Sequence, residues 1–326
     1  MTRTWLTVIV VIAPALWFVP FAVATDAAAE KTAQGPDACV TTKSADNQRC
    51  PNNTDAVRLV SYEPSLLGWT YDQSSDGYMD FLLSVKFALA PALVEKYISP
   101  NSHAYFAFTG RFGQYFNRES SPVIGKRFNP ELFYRHTLQQ DNRDAHLDVG
   151  YGHESNGQGI TSLASYQQAQ ASLERPEYAD DYISRGWDYV RLTVRSPRYS
   201  FFGNSDCVQA YLTGKRFLGG GVFQGHPEEY NSWESSPEGK PRDEVDGVSV
   251  LVKYWSVSGL SGWKLAMLYT TGYREILRYN SVRLEAGAKI LQMPVIIWTS
   301  HGYNSDLIRY YKNAKATGIA IEIGAF

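Results

Sequence analysis

The feature that most constrains this chain is an alternation of apolar and polar residues with period two, held over about ten residues at a time and repeated along most of its length. Val282, Leu284, Ala286, Ala288 and Ile290 interleave with Ser281, Arg283, Glu285, Gly287 and Lys289. Met79, Phe81, Leu83, Val85, Phe87 and Leu89 likewise leave Asp80, Ser84 and Lys86 on the other parity. Successive side chains of a strand point to opposite faces, so each segment has one greasy face and one polar face. Its length is what a tilted strand needs to cross a bilayer.

Twelve such segments are read, at about 58–72, 77–91, 101–114, 129–138, 144–156, 186–197, 205–219, 246–257, 262–273, 280–291, 294–303 and 316–326. An even number suits an all-β fold, a twelve-stranded antiparallel transmembrane β-barrel. Closure removes the sheet edges and satisfies every backbone group inside lipid. The connections are uneven, longest at 156–186 and 220–246, which reads as long extracellular loops opposite short periplasmic turns. On the lumen side Asp80, Lys86, Arg111, Lys253, Lys264, Arg283, Glu285 and Lys289 carry both signs. Such charges pair and fill a narrow interior, which argues against an open channel. A soluble β-sandwich also alternates, but its loops should be similar at both ends.

Composition agrees. Aromatic residues make up 14% of the 326 residues, with 22 tyrosines, while the mean hydropathy is only −0.30. A helical membrane protein would be more apolar, whereas a barrel averages to mild polarity with many interfacial aromatics. The net charge of −2 gives no sign of a nucleic-acid partner.

At the N-terminus, Arg3, the apolar run Trp5–Phe21 and Ala22-Val23-Ala24 read as a secretory signal peptide over residues 1–24. Residues 25–57 follow as a polar periplasmic extension, and the barrel is expected over 58–326. Of the three cysteines, Cys39 and Cys50 are close in a turn-rich segment, consistent with a disulfide in an oxidising compartment. Cys207 is left over as a structural thiol.

One stretch departs from the barrel pattern. In Leu147, Val149, Tyr151, His153 and Ser155 the apolar row ends in a base and a nucleophile on the same face. A polar pair belongs on the wet face of a soluble sheet, so its place here suits the boundary between lipid and water. A serine hydroxyl needs a neighbouring base to take its proton, and the base needs a third group to orient it. On the next segment the apolar parity runs Asp188, Val190, Leu192, Val194, so Asp188 caps the adjacent row and supplies that group.

These residues carry a resemblance to the outer-membrane phospholipase A family. Its Tyr-x-His-x-Ser-Asn-Gly motif is matched by Tyr151, His153, Ser155, Asn156 and Gly157. A Ser-Arg-x-Trp motif is matched by Ser184, Arg185 and Trp187. A third block appears as Glu119-Ser120-Ser121-Pro122 followed by Asn129-Pro130-Glu131-Leu132-Phe133. The resemblance implies a twelve-stranded barrel that hydrolyses phospholipid acyl esters as a calcium-bound homodimer, with phospholipase A1/A2 and lysophospholipase activity. It implies Ser155 as nucleophile, His153 as base and Asp188 in the orienting position, where the family more often has Asn. It also implies Gly157 N–H as an oxyanion donor. Ser184 and the Gln158 carbonyl match Ca²⁺ ligands, and Ser120 matches a ligand given to the other subunit. Asp181 is a further candidate for calcium, and Gly110 falls where the family often has a polar dimer-interface residue. Because the family works with an amide, Asp188→Asn is expected to keep clearly more activity than Asp188→Ala. The expected location is the cell outer membrane, with the site at its extracellular leaflet. The competing readings are a non-enzymatic pore or structural barrel, and another barrel esterase such as a lipid A deacylase. Gly219-Gly220-Gly221 reads as a flexible loop, since no phosphate-binding signature follows it.

Overall fold

The structure is a computed structural model that describes residues 59–99, 101–138, 145–200, 206–234, 239–258 and 261–323. The expected signal peptide at 1–24, the extension at 25–57, Cys39 and Cys50 lie outside the described residues.

Twelve strands follow one another: β1 (Ser65–Asp72), β2 (Asp76–Leu89), β3 (Ser102–Gln114), β4 (Val123–Thr137), β5 (His146–Ser155) and β6 (Gly186–Arg195). The second half consists of β7 (Asp206–Phe217), β8 (Gly247–Ser258), β9 (Ser261–Gly272), β10 (Asn280–Ile290), β11 (Met293–Gly302) and β12 (Ala314–Ile323). Each pairs antiparallel with its sequence neighbours, and β12 pairs back onto β1 from Ser65↔Ile323 to Asp72↔Ala316. The sheet is therefore closed, as the alternation requires. A two-residue bridge, Val60–Ser61, adds to β2 below β1.

The period-two phase is realised as read. Leu67, Trp69, Val149, Leu192, Ile297 and Ile319 stand exposed on the outer wall, while Thr70, Asp80, Ser84, Asp148 and Gln209 are buried inside. An exposed apolar wall of this extent fits lipid, not water. Among the described residues no helix is long and apolar enough to cross a membrane.

The fourth strand begins six residues earlier than the alternation suggests, at Val123. Arg111 pairs with Arg127 but Phe112 with Gly125, so Lys126 is an extra residue in the ladder. A bulge of this kind flips the parity. Ile124 and Lys126 point inward before it, and Asn129, Glu131 and Phe133 point inward after it. No single phase covers both halves, which hid the first half from a period-two reading.

The lumen is filled by paired charges. Arg111 binds Asp80 at 2.6 Å, Arg135 binds Asp148 at 2.8 Å, and Lys264 binds Glu322. A cavity of about 530 Å³ remains between them. At the end carrying the long connections, segments from four loops pack together over the barrel. Trp187, Val245, Leu307, Tyr310 and Tyr311 form an apolar cluster there. Beside it Asp181 is held by Arg118 at 2.6 Å and Arg309 at 2.7 Å, with Lys126 at 3.9 Å, and Lys126 also binds Asp306 at 2.8 Å.

Cys207, expected as a leftover thiol, is disulfide-bonded. Its partner lies outside the described residues.

Candidate active site

β5 and β6 are joined by a long connection carrying α1 (Leu163–Ser172) and a 3₁₀ turn at Pro176–Tyr182, yet they pair in register over their whole length. That register sets His153 directly opposite Asp188 and Ser155 opposite Gly186. Hairpin pairing with matching parity puts all three side chains on the outer face, at the rim of the apolar row. The neighbours of opposite parity, Glu154, Trp187 and Tyr189, are buried inward.

His153 Nδ1 lies 2.7 Å from Asp188 Oδ1. The carboxylate is almost fully buried, and its second oxygen accepts from the Tyr151 hydroxyl at 2.5 Å, from Phe223 N–H at 2.8 Å and from Gln224 N–H at 3.3 Å. With Nδ1 committed to the carboxylate, Nε2 is the nitrogen left to face a nucleophile. Among the described residues the Ser155 hydroxyl makes no hydrogen bond, so the nucleophile–base contact is open in this state. Such contacts often close only around substrate.

Glycine is required just beyond Ser155. Gly157 has φ +65°, a left-handed conformation, and a Cβ there would meet the Phe128 ring at 2.9 Å. Asn156 between them is buried and structural: its side chain donates to Ile183 O at 2.7 Å and accepts from Arg185 N–H at 2.9 Å. Arg185 in turn is buried, donating to Glu229 O and to the Glu234 carboxylate, with a further bond to Ile308 O. The Ser-Arg-x-Trp stretch therefore bolts the start of β6 to the loop cap, and Trp187 packs edge-on to Tyr310 at 5.2 Å.

The residues matched to calcium ligands lie on separate pieces. Ser184 donates from Oγ to the Glu228 carboxylate. Gln158 follows Gly157, with its side-chain nitrogen 3.4 Å from both Gly125 O and Asn156 O. Ser120 and Ser121 sit at the exposed tip between β3 and β4 with φ of 60° and 42°. Hydroxyl, carbonyl and carboxylate oxygens suit a hard cation, so Ser184 and Glu228 fit Ca²⁺ by donor chemistry. Asp181 does not: it has no exposed surface, and each carboxylate oxygen is taken by a guanidinium. Among the described residues there is no group of three or more His, Cys, Asp or Glu able to hold a metal. A donor set with one carboxylate, Glu228, is completed by hydroxyls, carbonyls and water.

Sequence reading missed Phe223, Gln224 and Glu228, which reach the site from the loop between β7 and β8. It also took Gly219-Gly220-Gly221 for a slack loop, whereas a Cβ at Gly221 would stand 1.9 Å from Asp188 Oδ2. The glycine run was the available signal, since it marks a backbone that approaches another group closely.

Fold and site together define a transmembrane-type β-barrel with a serine-hydrolase-like cluster on its lipid-facing wall. Residues 59–178 match the family model of phospholipase A1. The fold is that of solved outer membrane phospholipases. The Escherichia coli outer membrane phospholipase A is 16% identical, with a TM-score of 0.55, and the match covers 84% of this chain and 95% of that one. The Salmonella typhi outer membrane phospholipase, solved as a dimer with bound calcium, is also 16% identical, with a TM-score of 0.54 over 86% of this chain and 95% of that one. No curated protein matches the sequence. The resemblance read from the three motifs thus stands: the chain is similar to outer-membrane phospholipase A.

Proposed function

We propose that this protein hydrolyses acyl esters of phospholipids in the outer membrane, with phospholipase A1/A2 and lysophospholipase action. The observation that carries the reading is the His153–Asp188 pair on the same lipid-facing row as Ser155. Ser155 Oγ attacks the ester carbonyl while His153 Nε2 takes its proton. Asp188 holds the ring in the tautomer that leaves Nε2 basic and stabilises the imidazolium. His153 then returns the proton to the leaving glycerol oxygen. Water, deprotonated by the same imidazole, releases the fatty acid from Ser155. The oxyanion is received by Gly157 N–H, whose position is set by the left-handed turn.

Calcium, when bound, would supply positive charge that stabilises the oxyanion. Ser184, the Gln158 carbonyl and Glu228 would hold it, completed by Ser120 of the partner subunit. Sparse protein ligation makes the site weak in a single chain, which supports dimer-dependent activity. Placing the catalytic groups outside the barrel lets a lipid reach them sideways, at the extracellular leaflet. Residues 1–24 as a signal peptide, 25–57 as a periplasmic extension and 58–326 as the barrel fit the same reading. The charge-filled lumen weighs against a pore.

The test is acyl release from a defined phospholipid by detergent-folded protein, with Ca²⁺ and with excess chelator. Release that needs Ca²⁺ is expected. No release under either condition overturns the reading.

A further inference from the structure

The segment Leu218–Glu228 is an Ω-like loop whose two ends are fastened to β6. Leu218 N–H donates to Asp188 O at 2.9 Å, and Glu228 exchanges backbone bonds with Gly186 at 2.9 and 3.3 Å. Between these points Gly221 N–H closes a turn onto Gln224 O at 2.8 Å. Val222 N–H donates to the Tyr151 hydroxyl at 2.7 Å, and the next two N–H groups donate to Asp188. The backbone is thus pinned against the catalytic carboxylate, and its glycine contact at Gly221 leaves no room for slack.

Two apolar side chains of this pinned segment are largely exposed. Val222 is 84% exposed and Phe223 56% exposed, although both are apolar. The Phe223 ring lies 5.9 Å from the His153 ring and 6.1 Å from Tyr151, centroid to centroid. An apolar tip fixed beside a catalytic imidazole, on the lipid side, keeps most of its surface open for a hydrocarbon chain to lie against. We propose that the Gly219–Gln224 strap is a wall for the acyl chain of the ester being cleaved, with Phe223 the specificity-determining residue. This rests on the hydrolase reading above. The occupant is the alkyl chain of the substrate; a role in contacting bulk lipid is the alternative the test separates.

The experiment is the ratio of kcat/KM for p-nitrophenyl decanoate to that for p-nitrophenyl butyrate, measured on detergent-folded protein. Wild type is expected to prefer the longer ester. Phe223→Ala should lower that ratio about tenfold, the low end of what one methylene is worth in an apolar pocket, while Phe223→Leu keeps most of it. Val222→Ala should lower it in the same direction. Should Phe223→Ala fail the heat-modifiability test for a folded barrel, the Leu and Val222 variants carry the comparison. A ratio unchanged in these variants overturns the inference. So does an equal loss on both esters, which makes the ring a cover for the imidazole or a lipid contact. Wild type without esterase activity sinks the hydrolase reading itself, and the inference with it.

Discussion

His153 and Asp188 face each other across the β5–β6 ladder, with Nδ1 2.7 Å from Oδ1, and Ser155 stands two residues further along the same outer row. Two strands joined through a 30-residue excursion from Asn156 to Arg185 thus meet in one register. Ser155→Ala should therefore remove acyl release while leaving a folded, heat-modifiable barrel, since Ser155 makes no structural hydrogen bond among the described residues. Substantial residual release would mean that another hydroxyl is the nucleophile.

Removing the Ser184 hydroxyl should weaken calcium without harming the fold. Ser184→Ala is expected to raise the Ca²⁺ concentration for half-maximal activity on the order of tenfold, and Glu228→Gln by a similar factor. Tb³⁺ luminescence gives an independent reading of the ion. Calcium affinity equal to wild type in both variants would take these two residues out of the ion site.

Asp181 is a structural acid, and its protonation should control the loop cap. Burial raises its carboxyl, but Lys126, Arg309 and Arg118 outweigh burial and lower it to about 2 from the usual 3.8. Between those values the unfolded chain takes up a proton that the native one refuses. The contribution is complete above about pH 4 and is lost as pH falls towards 2, an effect of about 2 kcal/mol. The thermal midpoint of wild type, followed by tryptophan fluorescence, should fall over that window. Asp181→Asn should lower it already at neutral pH, because the counter-charge is lost and one of Arg118 and Arg309 meets an NH₂ in place of an acceptor. A variant as stable as wild type at pH 6 would show that the cluster does not hold the cap.

Arg185 serves the same cap from the other side. Its guanidinium has no exposed surface and is shared between the Glu234 carboxylate and backbone carbonyls of Glu229 and Ile308. Arg185→Ala leaves a buried carboxylate unpaired and should cost about 3–5 kcal/mol. Wild-type resistance of the outer loops to proteolysis in this variant would count against that placement.

The barrel was legible because lipid and a charged lumen impose opposite chemistry on alternate residues, and that contrast survives in Val282–Ile290 or Met79–Leu89 without any alignment. It failed where the ladder itself breaks phase, at Lys126. Within the site, His153 and Asp188 were legible because both cap apolar rows. Phe223 and Glu228 were not, because loop residues carry no period. Phe223 meets Asp188 from 35 positions away, and Glu228 meets Ser184 from 44. Those contacts depend on the ends of the Leu218–Glu228 loop being tied to β6, which no local pattern announces. Asp181 was misjudged for a related reason: its partners Arg118 and Arg309 come from distant loops.

Asp188 itself is the residue on which the structure revises the expectation drawn from resemblance. An amide at the orienting position was expected to keep clearly more activity than an alanine there. Yet all the groups around Asp188 are donors: His153 Nδ1–H on Oδ1, and Tyr151 O–H, Phe223 N–H and Gln224 N–H on Oδ2. A carboxylate accepts at both oxygens, whereas an asparagine offers one acceptor and one NH₂. If the amide oxygen faces His153, the NH₂ is driven against two backbone N–H groups that the pinned strap cannot withdraw. If it is flipped, the NH₂ faces His153 and selects the wrong tautomer, a fault that in one buried serine-hydrolase triad costs about 10⁴ in kcat. The Tyr151 hydroxyl can turn to accept, but the strap N–H groups cannot. Asp188→Asn is therefore expected to lose on the order of 10²-fold or more in kcat, about 2.7 kcal/mol, close to the loss in Asp188→Ala. Measuring kcat for both variants at saturating Ca²⁺ decides it. An Asn variant within a few-fold of wild type would mean that the strap relaxes around the amide, and an Ala variant near wild type would remove Asp188 from the triad.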